Sequence, residues 1–151
     1  MPGAARAAGF SLIELVAVVA LIGIALAVVS LSFSKSLGGA QVEAASRDLV
    51  AALRYTRGRA IVRGEQQALD IDVANNTYRA PDRPLVRLPK DMRLTLTTAE
   101  TEQTAATSGR IRFFPDGAST GGHIAVLLGR REWRINVNWL TGEVERKEVR
   151  Q

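Results

Sequence analysis

Gly9-Phe10-Ser11-Leu12-Ile13-Glu14 opens a run that stays apolar as far as Leu31, and the reading of that run decides the fold. Of the 22 residues from Phe10 to Leu31, 18 are apolar; Ser11, Glu14, Gly23 and Ser30 are the interruptions. As a helix the run is about 33 Å long, enough to cross a bilayer core of roughly 30 Å. The nine residues before it, Met1 to Gly9, carry one charge, Arg6. A secretory signal peptide would need a small-residue cleavage site, for which Ala25-Leu26-Ala27 is the candidate. A plain membrane anchor accounts for the length, with Arg6 held on the cytoplasmic side. Neither accounts for Glu14. A carboxylate at the centre of a spanning helix costs roughly 2.5–3.5 kcal/mol, and less near an end. Glu14 therefore either reaches back to the headgroups or meets a partner.

Outward from this run the chain is ordinary. It has 151 residues, and 20 Lys+Arg against 15 Asp+Glu give a formal net charge of +5. That length suits one domain. No cysteine is present, which excludes a disulfide scaffold, a thiolate zinc site and a cysteine nucleophile. His123 is the single histidine and leaves no partner for a two-histidine metal site. The basic balance is a mild bias towards acidic or nucleic-acid partners.

Beyond Leu31 no proline appears before Pro81, so the helix is expected to continue. Val42, Ala45, Leu49, Ala52, Leu53, Thr56, Ala60 and Ile61 recur at three- and four-residue spacing, a stripe suited to lie on a sheet. Arg47, Arg54, Arg57 and Arg63 mark the opposite face, and Gly64 offers a C-cap. Short strands follow at Gln67–Val73, Thr77-Tyr78 after an Asn75-Asn76 turn, and Met92–Thr97. Further strands are expected at Arg110–Phe114, His123–Leu128, Glu132–Trp139 and Glu143–Arg146, with Thr141-Gly142 turning the last hairpin. Pro81 to Pro89 reads as a proline-punctuated loop, and polar Thr98 to Gly109 as a mobile one. The charged tail Glu145 to Arg150 reads as solvated. The expected fold is one long helix followed by one antiparallel sheet.

The Gly9-Phe10 junction, the short leader with Arg6, and Glu14 together resemble the processing site of type IV pilins and pseudopilins. The resemblance implies cleavage by a prepilin peptidase after Gly9 and N-methylation of Phe10, the new terminus. It also implies that Glu14 pairs with the terminal amine of a neighbouring subunit. An amine and a carboxylate that are each costly in lipid would neutralise one another and set subunit register. The stretch Ile111-Arg112-Phe113-Phe114-Pro115-Asp116-Gly117-Ala118-Ser119-Thr120-Gly121-Gly122, with Gly142 near a final hairpin turn, is similar to the GspH/FimT-like family of minor pseudopilins and minor pilins. Arg47 to Arg57, with Ala60-Ile61 and Arg63-Gly64, resembles the same family, so the likeness covers residues 9 to about 145. One departure is that Leu31 stands where many members carry a helix-kinking proline, which leaves the bend of the helix open.

The family implies an α+β, pilin-like fold, a long N-terminal hydrophobic helix packed on a C-terminal antiparallel β-sheet domain. Its parts would be a leader at 1–9, a transmembrane and polymerisation helix at 10–31, its amphipathic continuation at 32–64 and a periplasmic β-sheet domain at 65–151. The implied role is a minor pseudopilin at or near the tip of the periplasmic pseudopilus of a type II secretion system. The chain would be single-pass in the bacterial inner membrane. Implied partners are other minor and major pseudopilins, the prepilin peptidase, the inner-membrane assembly platform and membrane lipid before assembly. The alternative is a minor pilin of a type IV pilus, with Arg54 and Arg57 as nucleic-acid contacts during DNA uptake.

Competing chemistry is weak. Gly117, Gly121 and Gly122 lack the Lys-Ser/Thr pair and following helix of a phosphate loop, and are expected to supply positive φ in a turn, with Asp116 bonded inside it. Trp133 and Trp139 fall six apart in one expected strand and would share a face, in the core or as a base-stacking platform beside Arg130, Arg131 and Arg134. His123 reads as a strand-start residue. Asp70 and Asp72 share a strand face, but nothing completes a catalytic set. The expectation is a non-enzymatic scaffold with no cofactor and no metal.

Overall fold

The computed structural model describes residues 11–105 and 107–150, with side-chain environments over 11–27, 39–105 and 107–149. The expected cleavage and methylation positions, Gly9 and Phe10, lie outside the described residues. Helix α1 spans Leu12–Arg63. The chain divides into two compact units, Met1–Leu37 and Gly38–Gln151.

In the first unit, the Ser11 carbonyl accepts hydrogen bonds from the amides of Glu14 (3.0 Å) and Leu15 (3.2 Å) and so starts the helix. Leu12, Ile13, Leu15, Val16, Val19, Leu21, Ile22, Ile24 and Leu26 are all exposed. Among the described residues no helix is long and apolar enough to cross a membrane. The apolar run Phe10–Leu31 passes beyond the described side chains at both ends.

Among the described residues the second unit contains the rest of α1 and nine strands: β1 (Gln67–Asp72), β2 (Thr77–Arg79), β3 (Val86–Arg87), β4 (Arg93–Thr97), β5 (Gln103–Ala105), β6 (Ser108–Phe113), β7 (Gly122–Leu128), β8 (Arg131–Val137) and β9 (Val144–Arg150). They make two antiparallel sheets and not the single one expected. One has the order β3-β2-β1-β6-β5 and the other β4-β7-β8-β9. The glycine-rich connection between β6 and β7 takes the chain from the first sheet to the second, so consecutive strands part company there.

The helical stripe faces the core as its spacing predicts. Val42, Leu49, Leu53, Thr56 and Ala60 are buried against Leu69, Ile71, Ile111 and Phe113 of the first sheet and Leu94, Ile124, Val126 and Ile135 of the second. Burying this apolar area is the main stabilising term, at about 25 cal/mol per Å². Ser46 shares the stripe and is fully buried, whereas Ile61 lies off it and is 44% exposed. Gly64 follows the last turn at φ +67°, the left-handed geometry of a C-cap glycine. Asn76, at φ +51°, ties the two sheets: its Nδ2 donates to the Met92 carbonyl (2.9 Å), and its Oδ1 accepts from the Leu94 amide (2.9 Å).

Four further expectations need correction. The proline-punctuated loop holds β3, which pairs with β2. The polar segment after Thr98 holds a 3-10 turn, Glu100–Glu102, and β5. Glu102 is buried and pins that segment to β6, accepting a fork from Arg112 (Nε 3.0 Å, Nη2 3.2 Å) with the Arg110 guanidinium 3.3 Å away. Its threonine-rich composition concealed this one anchoring carboxylate. The last strand, expected to end at Arg146, continues as β9 through the charged tail, paired with β8 from Val144 to Arg150, while Glu145, Lys147 and Glu148 stay exposed as expected of a solvated tail. Finally, β8 ends at Val137, so Trp139 belongs to a turn and shares no strand face with Trp133.

Candidate functional site

Glu14 sits exposed in the first turn of α1. The other family residues converge elsewhere, around Arg57. The connection 114–122 folds on itself: the Gly117 amide donates to the Phe114 carbonyl (2.9 Å), the Phe114 amide to Ala118 (2.9 Å), and the Asp116 Oδ1 accepts from the Ala118 amide (3.0 Å). Asp116 thus bonds inside its turn, as expected of that residue type. Pro115 lies inside these bonds, at a position that donates none of them and so needs no amide of its own. Gly117, Gly121 and Gly122 all have positive φ, at +89°, +72° and +122°, as expected of them, although Gly122 already belongs to strand β7.

A second turn, after β8, meets the first. Its carbonyls and amides are closed by Gly142 to Asn138 (2.8 Å) and Asn138 to Glu143 (2.9 Å). The Asn138 Oδ1 accepts from the amides of Leu140 (2.9 Å) and Thr141 (3.1 Å). The turns are joined by the Ser119 amide donating to the Trp139 carbonyl (2.8 Å) and the Ser119 hydroxyl donating to Asn138 (2.9 Å). Arg57 reaches out of α1 to clasp both: its Nε donates to the Gly117 carbonyl (3.0 Å) and its Nη2 to the Thr141 carbonyl (2.9 Å). Gly142, at φ +64°, makes room. A Cβ there would run into the Gly117 carbonyl oxygen and the Arg57 side chain. The distant glycines of the sequence pattern are therefore parts of one joint between helix and sheets.

Arg54, also considered for nucleic acid, is exposed, with Nη2 3.4 Å from the Val144 carbonyl. The structure brings Arg54 and Arg57 to one cleft of about 470 Å³ with Thr141, Gly142, Glu143 and Val144. Arg57 is occupied there by carbonyls, so the two guanidiniums are not equivalent.

A second arginine clasp was not legible in the sequence. Arg146 of β9 donates from Nη1 to the Ser46 hydroxyl (2.9 Å) and to the Glu43 carbonyl (3.4 Å), and stacks over the Trp133 ring at 4.1 Å. Arg47 also pairs with Glu43. Ser46 could have been found from its place in the stripe, four residues after Val42 and three before Leu49. Its partner could not, since 100 residues separate them.

The remaining polar clusters look structural. Asp72 accepts from the Asn75 amide (3.0 Å) and side chain (2.7 Å), and these bonds hold its carboxyl below the usual range. Asp70 and Asp72 do share the outer face of β1, opposite Leu69 and Ile71. Arg59 donates to the Tyr55 hydroxyl (3.1 Å) and pairs with Asp82. That bond, with Arg83 over the same ring at 4.6 Å, lowers the Tyr55 phenol below its ordinary value. His123 is the second residue of β7, opposite Asn136 and Thr97. Among the described residues no group of three His, Asp or Glu side chains could hold a metal ion.

Comparison with known proteins follows the same outline. Residues 4–30 match the family model described as a prokaryotic N-terminal methylation motif, and residues 45–142 the one described as type II transport protein GspH. The type II secretion system protein H of Xanthomonas campestris pv. campestris is 36% identical over 142 residues, 94% of this chain and 84% of that protein. In fold, the chain is similar to the minor pseudopilin EpsH from the type 2 secretion system of Vibrio cholerae. That likeness has a TM-score of 0.56 at 13% identity, over 71% of this chain and 96% of the other. With the methylation motif at its start and the joint-forming glycines inside the matched region, the chain belongs to the GspH family of type II transport proteins.

Proposed function

We propose that the chain is a minor pseudopilin, a structural subunit at or near the tip of the periplasmic pseudopilus of a type II secretion system. The observation that carries this reading is the presence on one chain of an N-terminal methylation motif and a GspH match covering the joint. In this reading a prepilin peptidase removes residues 1–9 after Gly9, Phe10 is methylated, and Glu14 pairs with the terminal amine of a neighbouring subunit. Phe10–Leu31 holds the chain in the inner membrane and then, among other pseudopilins, forms the fibre core. The sheet unit lies in the periplasm. Exposure of the large apolar side chains from Leu12 to Leu26 supports a segment that is covered from outside the chain. Removing that surface from water or lipid by packing against other subunits drives assembly.

Among the described residues no acid–base or nucleophilic set supports an enzymatic role. The alternative, a DNA-binding minor pilin, loses support from Arg57, whose guanidinium is bonded to two carbonyls. Deleting the gene should abolish exoprotein secretion and leave pili and DNA uptake intact; the reverse result sinks the reading. Mass spectrometry of assembled material should find a chain starting at methylated Phe10. Glu14→Ala should insert normally but fail to enter the fibre.

A further inference from the structure

The turn that carries Gly142 has an outer side that the joint leaves unused. Its backbone is fixed by the Asn138 side chain and by the Glu143 amide donating to the Thr141 hydroxyl (3.2 Å). It nevertheless leaves Trp139 67% and Leu140 63% exposed, side by side. Ile61 borders the same joint, its Cδ1 3.4 Å from where a Cβ on residue 117 would stand. The adjoining cleft sets Arg54 and Arg57 against the single carboxylate of Glu143. Arg57 spends its donors inward, whereas Arg54 is exposed and has one long carbonyl contact.

We propose that this turn is a contact surface for another protein subunit of the fibre, with Trp139 and Leu140 entering an apolar socket and Arg54 receiving a carboxylate at its rim. That the partner is a fibre subunit rests on the functional reading above. Three observations select the chemistry. An indole and a leucine held on a preformed turn lose little conformational freedom on docking, and tryptophan is among the residues that dominate interface energetics. The excess positive charge beside them complements a carboxylate. Base stacking would need a second exposed ring along a basic track. Trp133 instead lies beneath Arg146, and Glu143 interrupts the cleft.

The test uses the full-length chain in its own cells, with a benzophenone amino acid at position 140. Irradiation should give an adduct that mass spectrometry identifies as another pilin-like subunit. Its yield should fall at least tenfold with Trp139→Ala and with Arg54→Glu, while the thermal midpoint of each purified variant stays within that of the parent. An adduct only to lipid or nucleic acid overturns the proposal, as does a yield unaffected by both substitutions. Immunoblotting of sheared fibres separates the two levels. Absence of the chain from fibres overturns the functional reading and the subunit contact with it. Presence in fibres without a subunit adduct at position 140 overturns the contact alone.

Discussion

Helix α1 carries two apolar stretches that obey different rules. From Leu12 to Leu26 large hydrophobic side chains occur on every side and stay exposed in the single chain. From Val42 to Ala60 the buried positions 42, 46, 49, 50, 53, 56 and 60 form one stripe, and two of them, Ser46 and Thr56, are polar. The difference teaches that apolar content and burial are separate properties. The first stretch is apolar on every side, the pattern expected of a helix that is covered from all directions. The second has the spacing of a helix that meets its sheets along one line, and tolerates polar atoms where their bonds are met. Thr56 donates to the Ala52 carbonyl (2.8 Å), and Ser46 donates to the Glu43 carbonyl (2.7 Å).

The most severe way to break this comparison is truncation in each stretch. Leu53→Ala should cost about 2–5 kcal/mol of unfolding free energy, the range for a leucine cavity in a packed core. Leu15→Ala should stay within about 0.5 kcal/mol in denaturant titrations of the detergent-solubilised chain. Equal losses would show that the first stretch is also folded into the chain's own core.

Next come the arginines of the second stretch. Arg57→Ala leaves two carbonyls of the joint without a donor and should cost about 1.5–3 kcal/mol, and Arg57→Lys should recover only part, since an ammonium cannot fork. Arg47→Ala, on the exposed face, should be close to neutral. Thermal midpoints of the three variants rank them. Gly142→Ala attacks the same joint from the sheet side. It places a Cβ against the Gly117 carbonyl at positive φ and should cost about 1–3 kcal/mol. A stable Gly142→Ala protein would mean that the turns can separate without loss.

The smallest effect concerns pH. Burial, with the Asp48 carboxylate adding to it, pushes the Tyr78 phenol up from 10.0 to about 12. The fold thus favours the neutral phenol. Its contribution to stability is complete below pH 10 and is lost as pH rises towards about 12. Tyr78→Phe should flatten that alkaline loss in melts at successive pH values; an unchanged slope would assign it to another group.

Much of this was legible in the sequence because it is local. The stripe, the Gly64 cap, the Asp116 turn and the positive-φ glycines each follow from backbone geometry within a few residues. Trp139 was misassigned because alternation carried the strand two residues past Val137, where the Asn138 side chain caps the chain into a turn. The second sheet, the anchoring of the Thr98–Gly109 segment by Glu102 and the clasp between Arg146 and Ser46 were hidden for another reason. Each depends on residues far apart in the chain meeting at one geometry.

The sequence by itself determined that an apolar helix precedes a strand-rich unit, and that several of its glycines mark turns, since periodicity and φ preferences are read over short spans. Only the tertiary structure decided what those turns and arginines are for. Arg57 acquires its role when two turns bring the carbonyls of Gly117 and Thr141 within reach of one guanidinium. Charge in a sequence records that a group must be satisfied; the fold supplies the partner, because a hydrogen bond exists only between atoms that packing has brought to about 3 Å.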